Sequence, residues 1–289
     1  MGDDTTPRTA DAAFRTAYDE VLRQWPVEVH GTDVPTTHGS TRVQICGRAD
    51  ATPLVLLPGG GATSVSWFAN GGALAAGQRI YAPDLMGDFG RSVPGGAPLR
   101  GADDLTAWLD SLLDALGLEG ARFCGHSYGA WIALKYALHA PHRVRRLALL
   151  DPTNCFGSMR PGYLAHALPS LLRPTAARVR AFHRWETGRD PEHPAWQAFL
   201  DSSATARRTK VVAMRRPEAR DLRALDPPTL VLLAENSRAH DVRRVAAEAR
   251  RLLPDARVDI LPGASHHSLP TEQPAALNRE LTEFLGRGD

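Results

Sequence analysis

The chain has 289 residues, 43% of them hydrophobic, which suits one globular domain carrying an insertion better than two independent domains. Its 34 basic and 32 acidic residues leave a formal charge of +2 and are mixed along the sequence, so no long basic run points to nucleic acid or a membrane surface. Cys46, Cys124 and Cys155 have neither disulfide-framework nor metal-ligand spacing, the acidic start lacks a secretory signal, and no window is apolar enough to span a bilayer. The expectation is a soluble cytoplasmic protein without metal.

In chain order, Phe14, Tyr18, Val21 and Trp25 recur at helical spacing before Pro26, predicting a packed amphipathic helix over about 9–25. Two strands are expected near 27–34 and 41–47. Short β-rich runs then alternate with helical patterns: strands at 53–57, 79–84, 121–125 and 145–150, and helices carrying Leu105, Trp108, Leu109, Leu112 and Leu116 and spanning Ala130 to Ala140. That rhythm predicts a mostly parallel central sheet flanked by helices. Strand patterns resume at 229–233 and 257–261, with a helix between them and another at the end of the chain. The gap has helix-like stretches at 165–172 and 196–204 and no strong strand pattern, so 153–226 reads as a helical cap inserted in a core made of 1–152 and 227–289.

The most informative segment is Gly125-His126-Ser127-Tyr128-Gly129, a GxSxG pattern between a strand run and a helix run. A sharp strand-to-helix turn presents the serine hydroxyl at the helix N-terminus, and the small flanking residues allow the close approach this requires. In isolation the pattern also fits a glycine-rich loop with a surface serine; its context favours Ser127 as a nucleophile.

A serine hydroxyl needs a base, an acid to orient that base, and donors for the developing oxyanion. Leu57-Pro58-Gly59-Gly60-Gly61 follows a strand directly, and the N–H groups of Gly60 and Tyr128 are the expected oxyanion donors. A phosphate loop would continue with Lys and Ser or Thr, whereas this chain continues Ala62-Thr63-Ser64. The base should follow the last strand, where His266 and His267 compete for the role.

These landmarks, with Ser66-Trp67, the segment at 82–92 and Glu272-Gln273-Pro274, resemble in type and order the α/β-hydrolase superfamily, in particular its bacterial carboxylesterase-like members. The resemblance covers about four-fifths of the chain. It implies a catalytic histidine five positions before the glutamate of the last motif, which selects His267 as the first choice; counting from Pro262-Gly263 selects His266, the alternative. Pro58 stands where many members have a histidine, and Ser237 where many place the triad aspartate. Some members carry the acid at the end of the preceding strand, which makes Asp151 the first choice here, with Asp241 and Glu235 as alternatives. Asp241 also reads as a helix N-cap, and Asp84 as structural.

The expected reaction is cleavage of a small-molecule carboxylic ester, lactone or thioester through an acyl-enzyme, without a cofactor. Two other readings share these features: a biosynthetic acyltransferase or cyclase using the same acyl-enzyme, and a ligand-binding protein that kept the fold without turnover. The aromatics Phe182, Trp185, Trp196 and Phe199 either line an acyl pocket or form the cap's own core.

Overall fold

The computed structural model describes residues 6–206, 211–272 and 274–287. The first five residues, part of the predicted cap and Gln273 of the Glu272-Gln273-Pro274 landmark lie outside the described residues.

Helix α1 (Thr6–Leu22) begins and ends about three residues earlier than its apolar spacing suggests, and is followed by an antiparallel pair, β1 (His30–Thr36) and β2 (Gly39–Cys46). Next come β3 (Thr52–Leu57), a short α2 (Gly71–Ala75), β4 (Gln78–Pro83) and a two-residue β5 (Val93–Pro94) that pairs with β2. The crossover units that follow are α3 (Ala102–Ala115), β6 (Ala121–His126), α4 (Tyr128–His139) and β7 (Val144–Leu150). After α5 (Pro161–Leu172), α6 (Ala176–Thr187), α7 (Pro194–Ser203) and α8 (Ala219–Arg223), the sheet resumes with β8 (Thr229–Ala234), α9 (Val242–Leu252), β9 (Arg257–Leu261) and α10 (Pro274–Leu285). Among the described residues, everything regular between β7 and β8 is helical.

The sheet order is β1-β2-β4-β3-β6-β7-β8-β9, antiparallel at the β1 end and parallel from β4 to β9. Every residue of β6 and β8 is buried, the signature of parallel strands covered on both faces. The pleat divides β3 between two cores. Val55 and Leu57 pack with Leu109 of α3, Trp131 of α4 and Val245 of α9, whereas Leu54 and Leu56 pack with Tyr18 of α1 and Leu281 of α10.

Strand β3 has β4 on one side and β6 on the other, so the chain reverses its winding there. Such a reversal opens a crevice between the loops leaving the carboxyl ends of the two strands, where α/β sheets bind ligands. Here those loops are the glycine run after Leu57 and the turn at Ser127, and Leu57 pairs in register with Gly125.

Helix α7 anchors the insert to the body. Phe199 is fully buried, stacks on Trp196 with centroids 5.1 Å apart, and meets Phe14 at 5.7 Å. These two aromatics therefore belong to a structural core. Among the described residues, no helix is long and apolar enough to cross a membrane.

Candidate active site

Ser127 sits between the end of β6 and the first turn of α4, with φ 53° and ψ −111°. A side chain held at positive φ is strained, and the strain turns the hydroxyl out of the strand direction while the Ser127 N–H still donates to Leu150 O at 2.9 Å. The flanking glycines make the turn possible. A Cβ on Gly129 would collide with the carbonyl oxygens of Leu57 and Pro58, and one on Gly125 would collide with the Gly129 carbonyl. Asp151 leaves the adjacent strand β7 in the same way, with φ 40°, and its N–H donates to Leu232 O at 2.8 Å.

The loop after β9 brings a histidine to both residues. His266 Nε2 is 2.8 Å from Ser127 Oγ, and His266 Nδ1 is 2.5 Å from Asp151 Oδ2. The choice of His267 by its spacing from Glu272 does not fit this geometry. The two neighbouring rings stand edge to face, centroids 5.1 Å apart, and His267 Nε2 meets the Tyr163 hydroxyl of α5 at 2.9 Å rather than Ser127. Spacing counted along an irregular loop does not fix which of two consecutive side chains turns inward.

Asp151 is wholly buried and accepts from the Ala234 N–H at 3.0 Å and from Ser237 Oγ at 2.7 Å. His240 Nε2 lies 3.1 Å from Oδ1, off the line of a hydrogen bond. Burial alone would raise the Asp151 carboxyl, but the charge of His240 beside it and the hydrogen bond and charge of His266 prevail and hold it well below the usual carboxylate range. Ser237, the departure noted in the sequence, is thus a donor to Asp151. Asp241 is elsewhere: it caps α9, accepting from the Arg244 N–H at 3.1 Å, and lies 3.7 Å from Arg160. Glu235 accepts from the Gly263 N–H at 2.8 Å, and Asp84 is a buried hub for Ser64 and the Arg91 N–H.

Burial opposes a charged imidazolium at His266, yet its hydrogen bond to Asp151 and the charges of Asp151 and Glu186 outweigh that penalty, so its pKa lies above the ordinary value of 6.5. His126 is different. Desolvation, with His266 nearby, holds it down to about 3, so it is a neutral donor whose Nε2–H reaches His266 O at 2.9 Å. Burial likewise depresses His267 well below the ordinary range.

The glycine run lies against this site. A Cβ on Gly59 would stand 2.9 Å from His126 Nδ1 and 3.5 Å from Ser127 Cβ, and one on Gly60 would meet Tyr128 Cβ at 3.4 Å. The Gly61 N–H donates to Asp88 at 2.7 Å, and the Ala62 N–H to Gly59 O at 3.1 Å. From the insert, Tyr163 stands edge-on to His266 at 5.9 Å and meets Phe182 at 5.3 Å, while Trp185 stacks on His166. Two of the four aromatics singled out in the sequence, Phe182 and Trp185, therefore gather beside the histidine loop. A cavity of about 650 Å³ is lined by Ser237, Arg238 and Ser265 among others, but by neither Ser127 nor Asp151.

Glu186, Ser237, His126 and His240 were not recognisable as site residues in the sequence. Only Ser237 carried a signal, because it replaces an expected acid; Glu186 is one charge in an Arg-rich insert with no periodic pattern to single it out.

A sheet of this winding, with a serine at the turn after one strand hydrogen-bonded to a histidine after the last strand, and that histidine to an aspartate at the end of the neighbouring strand, has the arrangement of an α/β-type hydrolase. The chain belongs to the alpha/beta hydrolase family, whose model matches residues 54–280. It is similar to carboxylesterase YbfK of Bacillus subtilis, at 30% identity over 95% of this chain and 94% of that protein. It is also similar to the uncharacterized carboxylesterase nap of the same organism, at 28% identity over 96% of this chain and 95% of the relative. The crystal structure of the first, carboxylesterase CesB (YbfK), superposes with a TM-score of 0.90 at 28% identity, covering 97% of this chain and all (100%) of the other. That of naproxen esterase from Bacillus subtilis gives 0.89 at 26% identity, with 99% of each chain covered. The protein is accordingly a carboxylesterase-like hydrolase.

Proposed function

We propose that this enzyme cleaves a small-molecule carboxylic ester through an acyl-enzyme on Ser127, with His266 as base and Asp151 as the orienting acid. The observation that carries the reading is the continuous chain from Ser127 Oγ to His266 Nε2 at 2.8 Å and from His266 Nδ1 to Asp151 Oδ2 at 2.5 Å. The similarity to proteins named carboxylesterases supports the ester as the bond cleaved.

In this mechanism His266 takes the hydroxyl proton as Ser127 Oγ attacks the carbonyl carbon. The negative oxygen that forms is held by the N–H groups of Gly60 and Tyr128, which flank Ser127 from the glycine run and the first turn of α4. The imidazolium returns the proton to the departing alkoxide. Water then gives a proton to His266 and attacks the acyl carbon, and the collapsing intermediate regenerates the Ser127 hydroxyl and releases the acid. Asp151 keeps the proton on Nδ1, so that Nε2 is free to accept.

Residues 153–226 serve as the cap. Tyr163, Phe182 and Trp185 present apolar surface beside the histidine loop and suit an acyl group with aromatic or aliphatic bulk. The test is covalent: a fluorophosphonate should label wild-type protein stoichiometrically, mass spectrometry of the digest should place the adduct on Ser127, and Ser127→Ala should not label. Rapid labelling at another residue would sink the assignment.

A further inference from the structure

Glu186 lies near the C-terminal end of α6 in the insert, but its carboxylate ends in the histidine loop of the core, 2% exposed. Oε1 accepts from the His266 N–H at 2.9 Å, and Oε2 accepts from the His267 N–H and from Ser265 Oγ, each at 2.9 Å. Two consecutive backbone N–H groups converging on one anion form a nest, and charge-assisted bonds of this kind are the strong ones. The anion here is supplied by a different structural unit from the loop it organises.

The His266 backbone is consequently gripped from two directions. His126, at the end of β6, holds the carbonyl, and Glu186, on the insert, holds the N–H. Support from within the loop is confined to its flanks, where the Ser265 N–H donates to Ser268 Oγ at 2.9 Å and the Leu269 N–H to Ser265 O at 3.1 Å. If α6 moves away, two buried N–H groups lose their acceptor and the base loses one of its two backbone supports. Misplacement of a reacting group by about 1 Å can reduce turnover about a hundredfold.

Building on the acyl-enzyme reading, we infer that Glu186 is a positioning residue that makes alignment of the His266 base depend on the seating of the cap. Substrate enclosure and base alignment then become one event: a lifted cap admits substrate to a site whose base is out of register, and closure of α6 restores it. The other groups facing His266 are Asp151, His126, His267 and Tyr163.

The experiment compares wild type with Glu186→Gln, Glu186→Asp and Ser265→Ala, by kcat and KM on a short p-nitrophenyl ester, the pH profile of kcat/KM, and amide exchange over 262–269, with circular dichroism to confirm folding. In Glu186→Gln the side-chain amide sets a donor against a backbone donor and removes a negative charge near the imidazolium. Its kcat should fall by about 10- to 100-fold with KM within about threefold. Its acid limb should move to lower pH, and the 262–269 amides should exchange faster. Glu186→Asp keeps the charge and should leave the acid limb in place with an intermediate kcat. Ser265→Ala removes one of the three donors to Glu186 and leaves both N–H bonds intact, so its loss in kcat should be smaller than that of Glu186→Gln, with the acid limb in place.

Wild-type kcat and an unmoved acid limb in folded Glu186→Gln would overturn the inference, as would a loss confined to KM and thermal stability, which would mean the residue only fastens the cap. If Glu186→Gln does not fold, Glu186→Asp decides: a reduced kcat at constant KM supports the inference, and wild-type kcat overturns it. Fluorophosphonate labelling of wild type separates the two levels of the argument. No adduct on Ser127 defeats the acyl-enzyme reading itself, whereas a labelled wild type with an unaffected Glu186→Gln defeats only the coupling.

Discussion

Ser237 donates its hydroxyl hydrogen to Asp151 Oδ2 over 2.7 Å, the same oxygen that lies 2.5 Å from His266 Nδ1. Ser237, in the loop after β8, thus helps to fix the carboxylate that leaves β7. Removing one neutral donor to a buried carboxylate costs about 1–3 kcal/mol in the stability of that arrangement. Ser237→Ala should therefore fold, lose about 3- to 10-fold in kcat, and keep its KM. Steady-state kinetics check this; unchanged kcat would mean that Ala234 and His240 hold Asp151 without help.

Asp151→Asn and Asp241→Asn should behave very differently. An Asn amide can donate to Nδ1 and favour the tautomer that carries its proton on Nε2, facing Ser127, so Asp151→Asn should lose about 10³- to 10⁴-fold in kcat. Asp241 is an exposed cap of α9, and its substitution should lower thermal stability slightly and leave kcat near wild type. Parallel ester assays and melting curves test both. Comparable loss in the two variants would contradict the assignment of the acid.

The pH dependence follows from one titrating group. His266 accepts a proton only when neutral, and its pKa is raised, so kcat/KM should increase with pH along a limb whose midpoint lies above 6.5. His126, held at about 3, and His267, depressed by burial, should add nothing to that limb, which should report a single proton. A profile of kcat/KM against pH measures it. A midpoint at or below 6.5, or a two-proton slope, would contradict the electrostatics described.

Gly129→Ala tests the turn that presents Ser127. The added Cβ meets the backbone oxygens of Leu57 and Pro58, which cannot yield without moving the end of β3. The substitution should destabilise the protein by about 3 kcal/mol or more, lowering Tm by about 6 °C or more. Gly162→Ala is the control, because a Cβ there meets nothing within 4 Å; within α5 it should shift Tm by about 2 °C at most.

The sheet was legible because parallel strands buried on both faces read as short apolar runs, as β3, β6, β7 and β8 do. The two-residue β5 has too little pattern to be found. Ser127 was legible because glycine at 125 and 129 is a steric requirement of the turn, written directly in the sequence. Asp151 was within reach because it closes an apolar strand beside that turn. Spacing chose His267 over His266, whereas His266 is the one that meets Ser127, because both fall in an irregular loop whose side-chain directions are set by contacts from α6, Tyr163 and Asp151. Glu186 was hidden for a related reason: its role depends on tertiary contacts between the insert and the core.

The proposed service of Ser127 by His266, not by its neighbour, is tested most directly by p-nitrophenyl ester hydrolysis in folded His266→Gln and His267→Gln. His266→Gln should lose about 10³-fold or more in kcat if His266 is the base, and His267→Gln should keep kcat within about tenfold of wild type, its effect falling mainly on KM through the lost contact with Tyr163. An active His266→Gln beside an inactive His267→Gln would contradict it.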